Sequence, residues 1–234
     1  MSIIYNHLKN QHSSLAPVEA LAVLFEDYVP SSVLDLGCGP GRWLNALSNF
    51  GITDILGVDG IDMISRESPN LSKYFKLADF SKPLELGRHF DAAICLEVAE
   101  HLSVEHATNI ITILTDSSNL IYFSAACPGQ PGQHHVNCQW PSHWQGLFNE
   151  RGFVCSDAIR WRIWENGSIE PWYRQNLFVA RKCATEAGKE PRIRPVVHPE
   201  IVALMIQVEF EQCTPSLNWL RKAFLRSTVK KLHI

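Results

Sequence analysis

None of the seven cysteines in the sequence (Cys38, Cys95, Cys127, Cys138, Cys155, Cys183 and Cys213) stands at CxxC spacing to another, so neither a zinc ribbon nor a disulfide framework is indicated. No apolar run approaches the roughly 20 residues that a membrane-spanning helix needs. The opening MSIIYNHLKNQH lacks the basic start and apolar stretch of a secretory signal. Together these absences predict a reducing, cytoplasmic setting with no membrane span. Net charge is only −3 and charged residues make up 19% of the chain, which gives no general pull toward nucleic acid or an anionic membrane. There is no internal repeat and no low-complexity tract, and a hydrophobic content of 46% argues against extended disorder.

What is present suffices for one substantial domain, since 234 residues can bury a sizeable core. Leu21, Leu24, Phe25 and Tyr28 follow helical spacing and predict an amphipathic helix over 17–28, which Pro30 cannot continue. SSVLDLGCGPG then reads as a strand over 33–36 entering a glycine-rich turn, with a helix over 43–50 behind it and Gly51 as its cap. Further strands are predicted over 54–58 (ending on Asp59), 74–78 (ending at Asp79), 90–96 and 119–124. Helices are predicted from Val104 and around Trp144, Leu147 and Phe148, and strand-like runs over 154–163 and 176–180 complete the core. Strand alternating with helix at this spacing marks an open, mostly parallel α/β sheet.

Beyond a polar linker from Cys183 to Pro195, one amphipathic helix is marked by Ile201, Leu204, Met205 and Val208, and another by Leu217, Leu220, Phe224 and Leu225. The expected organisation is a domain over 1–183 and a linker with a helical appendage over 184–234, whose helices offer a surface for a homodimer. From Cys213 onward the basic residues Arg221, Lys222, Arg226, Lys230 and Lys231 meet no acidic one, a pattern read as a solvated helix face.

The chemistry concentrates in VLDLGCGPG at 33–41. A glycine-rich turn after the first strand lets backbone amides approach a ligand without side chains in the way. Dinucleotide enzymes use similar turns to hold pyrophosphate. Asp35, however, stands two residues before the first glycine, where such enzymes carry an apolar residue. A carboxylate there can hold the turn or meet a cationic ligand. Asp59 closes the next strand, where it can accept both hydroxyls of a ribose, a role it could fill in either kind of enzyme.

VLDLGCGPG, then GVDG with Asp59, then ADF with Asp79, then FDAAICLEVAEHL, resembles the ordered motif series of class I S-adenosylmethionine-dependent methyltransferases over roughly residues 30–182. The resemblance implies a Rossmann-like, seven-stranded, mostly parallel sheet of order 3-2-1-4-5-7-6, with the seventh strand antiparallel and helices on both faces. It implies S-adenosylmethionine as cofactor. Asp35, Gly37, Cys38, Gly39 and Gly41 would border its methionine and ribose, Asp59 its ribose, Asp79 and Phe80 its adenine, and Leu96 and Glu97 would lie beneath it.

In such folds the loop after the fifth strand borders the acceptor, because ligands sit beyond the carboxyl ends of parallel strands. His134, His135, Asn137, Gln139 and Trp140 are therefore the acceptor-side candidates, joined by Arg174, Gln175 and Asn176 from the turn between the last two strands. A hydroxyl or amine acceptor must lose a proton, and His135, then His134, is the expected base, a role worth about 10²–10⁴ in rate. Both histidines also suit loop residues that bond backbone carbonyls.

Glu97, Glu100 and His101 form ExxEH with a histidine pair downstream, which resembles the metal site of small-RNA 3'-terminal ribose 2'-O-methyltransferases. The same residues hold a strand-helix turn in many methyltransferases without metal, and the core has no basic stripe. The expectation is a turn-holding role, no metal, and no nucleic-acid partner. The predicted function is methyl transfer to a small-molecule or glycan-like acceptor, at oxygen. Its rivals are a metal-dependent RNA ribose 2'-O-methyltransferase, a dinucleotide oxidoreductase (disfavoured by Asp35) and a non-catalytic cofactor-binding scaffold.

Overall fold

The computed structural model describes residues 15–213. The second C-terminal helix expected around Leu217–Leu225 and the basic run lie outside the described residues. Seven strands, β1 (Ser32–Leu36), β2 (Asp54–Asp59), β3 (Phe75–Leu77), β4 (Ala92–Leu96), β5 (Leu120–Ser124), β6 (Phe153–Ser156) and β7 (Phe178–Lys182), form one sheet in the order β3-β2-β1-β4-β5-β7-β6. Strands β1 to β5 pair in parallel, and β7 runs antiparallel to both neighbours. Every residue of β1, β4 and β5 is buried, which is why these strands read as continuous apolar runs instead of alternating ones.

Helices α1 (Ala16–Leu24), α2 (Arg42–Asn49), α3 (Ile64–Glu67), α4 (Val104–Ser117), α5 (Pro141–Glu150), α6 (Ala158–Ile163), α7 (Pro171–Asn176) and α8 (Pro199–Cys213) complete the described elements, with short 3₁₀ turns at Pro69–Tyr74 and Ala99–His101. On one face of the sheet Leu21, Leu44, Leu47, Ile94, Tyr122 and Ile163 form a core, and the Tyr122 hydroxyl donates to the Leu24 carbonyl at 2.9 Å. On the other face Leu34, Leu36, Ile110, Phe123, Trp144 and Phe148 form a second core. Phe123 stands at its centre, with ring centroids 5.3–5.5 Å from Trp144, Phe148 and Phe178. Among the described residues no helix is long and apolar enough to cross a membrane.

Three elements depart from the sequence reading. The helix expected over 17–28 stops at Leu24, leaving Tyr28 and Val29 exposed. The strand-like run 154–163 divides: β6 ends at Ser156, and Ala158–Ile163 is helical. Ile159 and Ile163, one helical turn apart, enter the first core, while Arg160 is buried and donates to the carbonyls of Gln175 and Arg194 and pairs with Asp157. A strand through Arg160 could not satisfy that guanidinium, so the tertiary environment overrides local β-propensity. The last strand starts at Phe178 because Pro171, suited to a first helical turn, opens α7.

The segment after β7 is strapped to the domain. Glu190 accepts hydrogen bonds from Gln145, Asn149 and the Cys155 amide at 2.6–3.1 Å, and Ile193 is buried in the second core.

Candidate active site

β1 delivers the chain into the turn at 37–41, and α2 begins immediately after it. Gly37, Gly39 and Gly41 all have positive φ, +87°, +50° and +84°. At Gly37 the requirement is double, since a Cβ there would also stand 2.3 Å from Val98 Cγ2. The missing side chain thus brings the β1 turn against the turn after β4. The amides of Gly37 and Cys38 donate to the Val58 carbonyl at 2.7 and 3.2 Å, tying the turn to β2.

Acids surround this turn. The Asp59 carboxylate, at the end of β2, accepts from the Gly39 amide at 2.8 Å and from the Ile61 amide at 2.9 Å. Asp35 is only 3% exposed, and its Oδ2 has no hydrogen-bond partner. Burial, and then the charge of Asp59, hold its carboxyl well above the usual carboxylate range. Asp79 is exposed and bonded to Ser81, which lowers its pKa. Phe80 turns its side chain into the second core.

Leu96 ends β4 buried, and Glu97 follows with φ +57°, a conformation that side chains other than glycine rarely adopt. Hydrogen bonds hold it there: its amide donates to the Ser124 carbonyl at 3.0 Å, and its carboxylate accepts from Gln130 Nε2 at 2.7 Å and Asn176 Nδ2 at 3.2 Å. Asn176 also donates to Gln130 at 2.8 Å. Gln175 donates to Asn176 and to the Cys127 sulfur, each at 3.0 Å. Burial pushes the Glu97 carboxyl up to about 7 against these donors.

The loop after β5 folds back on the turn after β4. The amides of Val136 and Asn137 donate to the Glu100 carbonyl at 2.9 and 3.0 Å, and the Gln139 amide to the Ala126 carbonyl at 3.3 Å. Asn137 is buried and accepts from Gln139 Nε2 at 3.1 Å, while Trp140 occupies the N-cap position of α5 without a side-chain cap bond. His134 is exposed at φ +52°. His135 is half-buried, with Nδ1 3.1 Å from the Gln130 carbonyl and its ring 5.1 Å from that of His101. Burial lowers the pKa of His135, and burial together with the neighbouring His135 takes His101 down to about 4, so both rings are neutral near pH 7.

The structure brings Asn176 to Glu97 and sets Gln175 beside Asn176 and Cys127, but turns Arg174 the other way. Its guanidinium bonds the Trp164 carbonyl, His198 and Glu200, anchoring the start of α8. Gln130 is a site residue that the sequence reading did not single out; it lies in an irregular loop where no periodicity marks it.

A family model described as a methyltransferase domain matches residues 5–167. No curated protein matches the chain. Solved structures do: the sugar N-methyltransferase KedS8 from Streptoalloteichus is 15% identical with a TM-score of 0.59, over 78% of this chain and 97% of that one. DesVI from Streptomyces venezuelae is 13% identical at 0.57, over 73% and 92%. Magnesium protoporphyrin IX methyltransferase from Synechocystis, crystallised with bound SAM, is 20% identical at 0.51, over 70% and 77%. At these identities the likeness shows a shared fold.

Proposed function

The chain belongs to the methyltransferase-domain family, and from that premise we propose that it moves the methyl group of S-adenosylmethionine to an oxygen of a small-molecule or glycan-like acceptor. The observation behind this reading is the pair of acids at the glycine turn. Asp35 keeps a buried carboxylate oxygen without a partner, and Asp59 is fixed by two backbone amides at the rim. A partnerless buried acid suits a cationic ligand such as this one, and fits poorly with a pyrophosphate.

S-adenosylmethionine, when bound, supplies a methyl group already activated on a sulfonium. The work left to the protein is mainly alignment, which can contribute about 7–11 kcal/mol. Asp59, fixed at the end of β2 by the Gly39 and Ile61 amides, would meet the ribose hydroxyls. Gly37, Cys38, Gly39 and Gly41 give the methionine and ribose portion a backbone wall. Asp79 and the backbone of Phe80 would border the adenine, and Leu96 and Glu97 would form the floor.

On the acceptor side, His135 is the activating group and His134 the second candidate. The half-buried imidazole of His135 is neutral, so it has a lone pair to offer. A neutral imidazole can act on a hydroxyl by taking its proton or by holding an ion that acidifies it. Which of the two operates turns on the neighbouring Glu100. The glycan-like acceptor draws support from KedS8, whose name records a sugar substrate; the assignment to oxygen rests on His135.

The test is incubation with methyl-labelled S-adenosylmethionine and a panel of hydroxylated and aminated sugars, with carbon NMR of the product. An O-methyl signal lost in His135→Ala supports the reading. An N-methyl product, or O-methylation unchanged in both His135→Ala and His134→Ala, overturns it.

A further inference from the structure

The expectation that Glu97, Glu100 and His101 hold a turn accounts for the Glu100 carbonyl, which takes the amides of Val136 and Asn137. It does not account for the Glu100 side chain. That side chain is fully buried, 0% exposed; its carboxyl packs beside that of Glu97 and near the amides of Glu100 and Ala126, with no hydrogen bond of good geometry to either oxygen. A buried acceptor left this way is unfavourable, and more so if charged. The carboxylate does not face an apolar wall. One of its oxygens and one ring nitrogen each of His101 and His135 all lie within 4.8 Å of one another.

The surrounding chain is arranged around these three groups. The His134 carbonyl lies 3.4 Å from His101 Nδ1 and the Gln130 carbonyl 3.1 Å from His135 Nδ1. The Gln130 carbonyl beside His135 Nδ1 fixes that ring's tautomer and orients the lone pair of Nε2, as it does for metal-ligating histidines. Gly132 makes room for the His135 ring, since a Cβ there would stand 2.1 Å from Nε2. The positive φ of His134 belongs to the same short loop that presents its carbonyl to His101. Glu97 is excluded from the set, because its carboxylate is turned into the amides of Gln130 and Asn176.

We propose that Glu100, His101 and His135 bind one divalent first-row transition-metal ion through a carboxylate and two imidazoles. That donor set suits zinc, cobalt, iron or manganese and leaves coordination positions open. Glu100, with Glu97 beside it, supplies the negative charge that a dication needs in a buried setting. Ion binding is independent of the methyl-transfer reading. Only its use rests on that reading: an ion here lowers the pKa of an acceptor hydroxyl, and His135 then activates the acceptor as a ligand of the ion.

The test uses the full chain, stripped with a chelator and titrated with Co²⁺ while visible d–d absorption is recorded. Zn²⁺ competition follows, and S-adenosylhomocysteine binding is measured on the same sample. The expected result is one Co²⁺ per chain, displaced by Zn²⁺. Glu100→Gln and His135→Ala, both still folded by circular dichroism, should weaken it by at least the roughly 10–100-fold that loss of an outer-shell partner costs. Glu100→Gln is nearly isosteric, which keeps the test open should His135→Ala fail to fold. Failure of the stripped protein to bind Co²⁺ or Zn²⁺ overturns the proposal. So does a thiolate charge-transfer band that survives both variants, which places the ion on cysteines. Loss of S-adenosylhomocysteine binding with Co²⁺ binding intact counts against the methyl-transfer reading alone.

Discussion

Glu97 and Asn176 lie 79 residues apart in the chain and meet at 3.2 Å, joining the turn after β4 to the end of α7. Asn176 is 2% exposed and also holds Gln130, so one amide orients two site residues. Replacing it by alanine takes one donor from the buried Glu97 carboxylate and one from Gln130. Asn176→Ala should lower unfolding stability by about 1–3 kcal/mol, read from urea titration. An unchanged midpoint would mean that the network contributes nothing net.

Gly37→Ala should be among the costliest single changes. It combines a residue at φ +87° with a Cβ 2.3 Å from Val98, and backbone strain alone costs about 1–3 kcal/mol. Thermal unfolding of Gly37→Ala, Val98→Ala and the double variant separates the two contributions. The double variant should recover the part due to the clash and keep the part due to φ.

Glu190 predicts an acid-sensitive strap. Burial pushes its carboxyl up, but hydrogen bonds from Asn149, the Cys155 amide and Gln145 outweigh this and hold it at about 2. The unfolded chain binds the proton more readily, so this contribution is complete above about pH 4.5 and is lost as pH falls toward 2. Glu190→Gln should lower stability near pH 7 by about 1.5–3 kcal/mol and flatten the pH dependence between 4.5 and 2. Parallel wild-type and variant curves across that window would contradict the assignment.

His135→Ala should reduce turnover with the true acceptor by about 10²–10⁴ while leaving S-adenosylhomocysteine affinity within a few-fold. Steady-state kinetics and calorimetry on the same preparation check this. A matched loss of cofactor affinity would make His135 a cofactor-side residue.

The strands and the glycine turn were legible from local signals, and the sheet order from the resemblance that the ordered motifs carry. Glycines occupy positive φ at 37, 39 and 41, Asp35 stands next to the end of β1 and Asp59 ends β2, and apolar runs mark the buried strands. The surroundings of the loop after β5 were only partly legible. His135, Gln175 and Asn176 were named from topology, but Gln130 sits in an aperiodic loop and meets Glu97 only through the fold. Arg174 was misplaced because its partners, His198 and Glu200, come from a segment whose docking no local pattern records. The helix at Ala158–Ile163 was hidden by β-branched and aromatic residues that would serve equally well in a strand.

The most direct test is calorimetric titration of the purified protein with S-adenosylmethionine and S-adenosylhomocysteine, with NADH as control and Asp59→Ala alongside. Binding of both sulfur nucleotides and none of NADH is the expected result. Affinity should fall in Asp59→Ala by about 10–100-fold, the equivalent of about one hydrogen bond to a charged group. No binding of either sulfur nucleotide under reducing conditions, or binding that Asp59→Ala leaves intact, would contradict the proposed cofactor site.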